Sequence, residues 1–156
     1  MFKLKKIQEF LYLSKVEEKK YGDKIILKAN KKNYNSDYTI YMNKVYLGKS
    51  IIRANIILTI KDDKIYKGNS TNSSKCLFTI SRNIVYTGNH VLHSKCAYTI
   101  LGNKIYNGNS NHFSDCLFTI DNKNVYPGDN IVKSKHLLSI DGCLSNEVLA
   151  SIIGLE

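Results

Sequence analysis

Apolar and polar positions alternate in short bursts along residues 37–140, and the bursts recur every 20 residues without slippage. Thr-Ile stands at 39/40, 59/60, 79/80, 99/100 and 119/120, and Ser-Ile at 139/140. An unbroken period of about 20 residues marks stacked or ring-arranged supersecondary units. The unit Ala97–Cys116 reads as a β-hairpin. Its apolar run Ala97-Tyr98-Thr99-Ile100 is followed by Leu101-Gly102-Asn103-Lys104, and Ile105-Tyr106 leads out toward Gly108. β-Branched and aromatic residues flanking Gly-Asn are the short-range signature of a two-residue hairpin turn. That turn sets the register: Ile100 opposite Ile105 and Thr99 opposite Tyr106, with Tyr98, Ile100 and Ile105 on one face.

The turn pairs are Met42-Asn43, Asp62-Asp63, Arg82-Asn83, Gly102-Asn103 and Asn122-Lys123. Asn and Gly are the residues expected to supply the positive φ. Ile or Val at 45, 65, 85, 105 and 125 faces Ile at 40, 60, 80, 100 and 120, which makes five copies of one apolar plug. A lone hairpin is marginal in water, so each copy must be covered by its neighbours. Glycines at 48, 68, 88, 108 and 128 follow the Tyr by two residues, where a tight bend or a close backbone approach is expected. A connector then returns the chain to the next hairpin, ending three times in Ser-x-Cys.

The ends depart from the repeat. Residues 1–20 place Leu4, Ile7 and Leu11 on one helical stripe, which suits a short amphipathic helix, although Phe2 and Leu4 also alternate as in a strand. Residues 21–36 read as a worn copy of the repeat, with Ile25 aligned to Val45 and Lys28 to Gly48. After Asp141-Gly142, Ser145 is placed to cap a helix over Asn146–Ile153. Its stripe Val148, Leu149, Ile152 and Ile153 is expected to plug or lid the open end of the array. The chain thus divides into 1–36, the N-terminal segment and degenerate repeat; 37–140, five hairpin repeats; and 141–156, a turn and capping helix, all in one domain.

Two all-β architectures fit. Near-identical units favour a closed, pseudo-fivefold array of five hairpins. Connectors that are apolar at 51/52, 91/92 and 131/132, and mainly polar between them, give a superperiod of 40 and support a β-trefoil of three 40-residue lobes.

The phrase Ile-Tyr-x-Gly-Asn-Ser-x-x-x-Ser-x-Cys-Leu-x-Thr-Ile, present at 65–80 and 105–120, resembles small bacterial proteins of twenty-residue hairpin repeats, described as a five-fold β-flower. The resemblance covers about residues 38–156. It implies an architecture and carries no catalytic residue with it.

Composition narrows the function classes. With 156 residues, 43% hydrophobic and 23% charged, the chain has the profile of a folded domain with a real core. No run of about 18 apolar residues predicts a membrane span, and Gln8 and Glu9 interrupt any secretory h-region. Four cysteines without framework spacing point to reduced thiols and a cytoplasmic location. The net charge of +10 is carried almost wholly by lysine, with only Arg53 and Arg82 as arginines. Such an excess supports general attraction to polyanions more than arginine-fork recognition.

Candidate chemistry is sparse. Cys76, Cys96, Cys116 and His136 occupy one repeat position and would form a zinc-like Cys₃His set if that position faced a symmetry axis. Ile56 at the same position in the first unit points instead to a buried apolar slot. Tyr46, Tyr66, Tyr86, Tyr106 and Tyr126 form a phenol series able to stack on sugars or unpaired bases, or simply to pack. His90, His93 and His112 lie on connectors with no acid or nucleophile at a diagnostic spacing. No catalytic triad, HExxH or phosphate loop is present. The sequence therefore predicts a non-enzymatic module without a cofactor, which binds a protein or glycan through its connectors. The alternative is salt-sensitive, non-specific binding of nucleic acid through the lysines.

Overall fold

A computed structural model describes residues 24–155. The expected amphipathic segment and the start of the worn repeat lie outside the described residues.

Twelve antiparallel strands close into one barrel: β1 (Ile25–Ala29), β2 (Tyr38–Tyr41), β3 (Lys44–Leu47), β4 (Ile56–Lys61), β5 (Lys64–Lys67), β6 (Cys76–Ser81), β7 (Ile84–Thr87), β8 (Cys96–Leu101), β9 (Lys104–Asn107), β10 (Cys116–Asp121), β11 (Asn124–Pro127) and β12 (Leu138–Asp141). One helix follows, α1 (Asn146–Ile153). Within each continuous hairpin the register is the expected one, with Thr99 opposite Tyr106 and Ile100 opposite Ile105. The positive φ, however, falls on the first turn residue of every hairpin. Met42, Asp62 and Arg82 adopt it as Gly102 does, at 54–59°.

The number of hairpins is six, not five. The sixth is assembled from the first and last strands of the described residues, with β12 as its outgoing strand and β1 as its return strand. Leu27 faces Ile140 just as Val45 faces Ile40. The Asn30 N–H donates to the Leu137 carbonyl (2.7 Å) as the Gly128 N–H does to Leu117 (2.7 Å). The worn copy is thus half a hairpin, and its true alignment is shifted by two residues from the expected one: Leu27, not Ile25, matches Val45. A trefoil is excluded because all twelve strands share one wall.

Ring closure sets the interior. Twelve strands spaced about 4.8 Å apart give a backbone diameter of about 18 Å or more, too wide for wall side chains alone to fill. Helix α1 occupies this space. Six consecutive residues, Val148–Ile153, are buried, so the helix is enclosed on every side. A lid would leave one face in water. Around the helix lie Leu27, Val45, Ile65, Val85, Ile105 and Val125, all fully buried, together with Leu58 and Leu138. Ser145 caps the helix as expected, its Oγ accepting from the Val148 N–H (3.3 Å). Gly154 ends it with φ −68°, so no left-handed geometry is needed; a Cβ there would overlap the Tyr98 hydroxyl.

Candidate functional site

With the core turned inward, candidate chemistry belongs to the outer face of the barrel and its connectors. In the five continuous hairpins each return strand is followed by a glycine, and the chain then crosses back over the outer surface. Gly88 shows why: its φ is +83° and no atom lies within 4 Å of a built Cβ, so backbone conformation and not crowding demands glycine. The carbonyl exposed by that turn accepts from the threonine hydroxyl at the start of the same hairpin. The bond recurs at Thr39–Gly48, Thr59–Gly68, Thr79–Gly88, Thr99–Gly108 and Thr119–Gly128, at 2.7–2.8 Å. Through these bonds the threonines clamp each connector onto its own hairpin.

A second layer of bonds joins neighbouring hairpins. Lys44, Lys64 and Lys104 donate from Nζ to the hydroxyls of Thr59, Thr79 and Thr119 (2.9, 3.1 and 3.1 Å). Lys64 also reaches the Asn89 carbonyl (3.0 Å), and Lys104 the Asp129 carbonyl (3.1 Å) and carboxylate (2.6 Å). The hydrogen bond to Asp129 raises the Lys104 pKa, partly opposed by burial. Lys44 lacks such an acid, and burial lowers its pKa.

The cysteines sit on this outer face as well. In β4, β6, β8 and β10 a one-residue register shift, a β-bulge, places residue 56, 76, 96 or 116 opposite a tyrosine of the preceding hairpin. Cys116 therefore faces outward with Tyr106, although two-residue spacing from inward Phe118 predicts the opposite. Each thiol bonds within its own hairpin: Cys76 to the Phe78 and Gly88 carbonyls, Cys96 to Tyr98, Cys116 to Phe118 and Gly128 (3.4–3.8 Å). His136 lies beside Asn30 and the Lys133 carbonyl. Cys76, Cys96, Cys116 and His136 are thus spread over four hairpins. Among the described residues no three His, Cys, Asp or Glu side chains gather as a metal set.

Tyr46, Tyr66, Tyr106 and Tyr126 are buried, which leaves them no open ring face for a sugar or base; Tyr86 is half-buried. Burial raises the Tyr66 pKa, helped by Cys76, Asp62 and Asp63. His112 serves a local purpose: its Nδ1 lies 2.7 Å from Ser114 Oγ, and its ring packs on Phe113 at 4.7 Å.

The connectors carry the exposed apolar residues. Each contains one turn of 3-10 helix, closed by a bond such as Asn55 N–H to Ile52 carbonyl or Lys75 N–H to Asn72 carbonyl (both 2.8 Å). Asn72 and His112 cap their turns with a side chain, whereas Ile52, Leu92 and Val132 hold the same position without one. The turn forms either way, so its geometry does not require the apolar residue. Ile52, Val91 and Phe113 are nonetheless 55%, 53% and 68% exposed.

Residues 20–153, from just ahead of β1 to the last residue of α1, match a family model described as a 6-fold beta flower protein. The chain belongs to the 6-fold beta flower family. That sixfold description agrees with the six hairpins of the β-flower barrel and corrects the fivefold resemblance drawn from the five continuous repeats. No curated protein and no solved structure matches the chain. Among the described residues of this β-flower protein, no helix is long and apolar enough to cross a membrane.

Proposed function

We propose that this β-flower protein is a non-catalytic binding module whose partner is a protein, gripped by the apolar residues of its connectors. The observation behind this reading is the exposure of Ile52, Val91, Leu92, Ile131 and Val132 at connector positions where Thr71, Asn72, Asn111 and His112 serve the fold equally well. Exposed apolar residues with no folding task are what a protein contact uses, and loops on a rigid scaffold are where recognition concentrates. Arg53, Lys95, Lys133 and Lys135 flank these residues on the same connectors, so an acidic partner surface is favoured.

The test exchanges the apolar pairs for the polar pair of the second connector: Ile51→Thr with Ile52→Asn, Val91→Thr with Leu92→Asn, and Ile131→Thr with Val132→Asn. Expected are an unchanged melting temperature and loss of a defined partner protein that the unmodified chain retains after nuclease treatment and at raised salt. Retention of that partner by the exchanged protein overturns the reading. Capture that disappears with nuclease or salt transfers the function to polyanion binding; inhibition by free sugars transfers it to a glycan.

A further inference from the structure

The six junctions between neighbouring hairpins are built on one plan, and one of them is left open. At five junctions the first residue of a return strand, and at the sixth the second residue of β1, stands opposite the Thr or Ser of the next hairpin. Lysine fills the position at 44, 64 and 104. Asn124 fills it at the fifth junction and accepts from Ser139 Oγ at 2.9 Å. Ile26 fills it beside Thr39, where the connector is differently built and Asp37 is tied to the Ala29 N–H, Lys31 and Lys49.

The remaining junction pairs Ile84 with Thr99. Here a cleft of about 350 Å³ opens, lined by Asn83, Ile84, Thr99, Leu101 and the segment 109–111. Thr99 in its wall, and Tyr86 on the same strand as Ile84, are also less covered than their counterparts elsewhere. Tyr86 is half-buried where the other four tyrosines of the series are buried, and Thr99 is 7% exposed against 0–2% for Thr39, Thr59, Thr79 and Thr119.

We infer that this cleft binds a primary alkylammonium group, held by the Thr99 hydroxyl and the Asn109 carbonyl. These two acceptors correspond by repeat position to Thr79 and Asn89, which hold the Lys64 ammonium, and to Thr119 and Asp129, which hold that of Lys104. Isoleucine stops two atoms short of lysine, so the missing part is a methylene and the ammonium itself. Thr99 spends its proton on the Gly108 carbonyl (2.7 Å), and the Cys96 thiol lies 3.8 Å from its oxygen. A second lone pair remains to accept, as at Thr79 and Thr119, where a thiol and a lysine share the hydroxyl. Among the described residues no donor bonds to the Asn109 carbonyl. Ile84 and Leu101 supply apolar wall for an alkyl stem. Asn83 turns its amide nitrogen to the Ile100 carbonyl (2.9 Å), leaving its oxygen for the site. The described residues lining the cleft include no lysine or arginine, although the chain carries a net charge of +10. Ser110, on the rim, donates to the Asp115 carboxylate (2.6 Å), which brings an anion next to it.

The test titrates the full ¹⁵N-labelled chain with n-butylammonium chloride, n-butanol or tetramethylammonium chloride at matched ionic strength. Expected are saturable shifts of the Thr99, Asn109 and Ser110 amides in the millimolar range with butylammonium alone. The butanol control supplies the stem without the charge; tetramethylammonium supplies the charge without a donor. Ile84→Lys places the ammonium in the cleft covalently and is expected to abolish the response. Nα-acetyl-lysine amide separates the two sources of the group. Binding several-fold tighter than butylammonium assigns the site to a lysine on a partner; equal binding assigns it to a free amine. The inference is overturned if the shifts fail to saturate, if butanol or tetramethylammonium reproduces them, or if folded Ile84→Lys still responds fully. Should Ile84→Lys fail to fold, the three-compound comparison on the unmodified chain decides.

Discussion

Individual side chains in this barrel carry two tasks at once, and the threonine hydroxyl is the clearest case. Thr79 donates to Gly88 and accepts from Lys64, whereas Thr99 donates to Gly108 and faces Ile84, which cannot donate. Replacing threonine by valine keeps the shape and removes the hydroxyl. A lost hydrogen bond with a stranded partner costs about 1–3 kcal/mol, and a charged donor raises the cost. Thr79→Val is therefore expected to destabilise by about 2–3 kcal/mol and Thr99→Val by about 1 kcal/mol, read from urea denaturation midpoints at constant slope. Equal losses would mean that the lysine contributes nothing. Asp37 gives a pH-dependent counterpart. Burial raises its pKa, but the Ala29 N–H, Lys31 and Lys49 outweigh that, and the net value falls below the ordinary 3.8. A carboxyl with a depressed pKa stabilises the fold above its unfolded value and loses that contribution as pH falls through the folded one. The melting temperature is thus expected to drop more steeply as pH falls below the ordinary carboxyl value of 3.8 in the unmodified chain than in Asp37→Asn.

Among the elements, the hairpins were legible from the chain and their facing was only half so. Alternation over residues 97–106 gave the register of Thr99 with Tyr106, because a two-residue turn leaves no freedom there. The bulges in β4, β6, β8 and β10 were hidden, since one extra residue changes no composition and only reverses the face of what precedes it. That is why Cys116, read as a buried apolar residue, is buried as expected but on the outward side of the sheet, opposite Tyr106. Helix α1 was legible to the residue from Ser145 and the spacing of Val148, Leu149 and Ile152. Its surroundings were not, because Ala150 and Ser151 do not look like core residues until the barrel closes around them. The cleft at Ile84 could have been found by setting position 84 against 44, 64 and 104, where lysine is the rule. Since Leu149 is fully enclosed, Leu149→Ala leaves a void that the stiff wall cannot close. The expected cost is about 3–5 kcal/mol in denaturant unfolding. A loss below about 1 kcal/mol would mean that the helix merely caps the mouth.

For the molecule as a whole, the decisive feature is that the ring is closed by the pairing of Ile26–Ala29 with Leu138–Asp141, segments more than a hundred residues apart. Five hairpins are continuous in the chain, yet without this sixth the barrel would have two free edges and the helix would be open to water along one side. Stability is thereby shared around the ring, since every hairpin borders two others and each contributes residues to the core that holds the central helix. Ile105 lies in a continuous repeat and Leu27 in the closing strand, and both are fully buried against the same interior. An aspartate at either position would put an unpaired charge into that common space, at a cost beyond what a marginally stable domain of this size withstands. Ile105→Asp and Leu27→Asp are therefore expected to give the same result in hydrogen exchange: protection lost together in β1 through β12. In a solenoid with open ends, damage at the terminal strand would fray only its neighbour and leave the distant hairpins protected. Retention of protection in β6–β9 by Leu27→Asp would therefore show that the hairpins stand independently and that closure adds little to them.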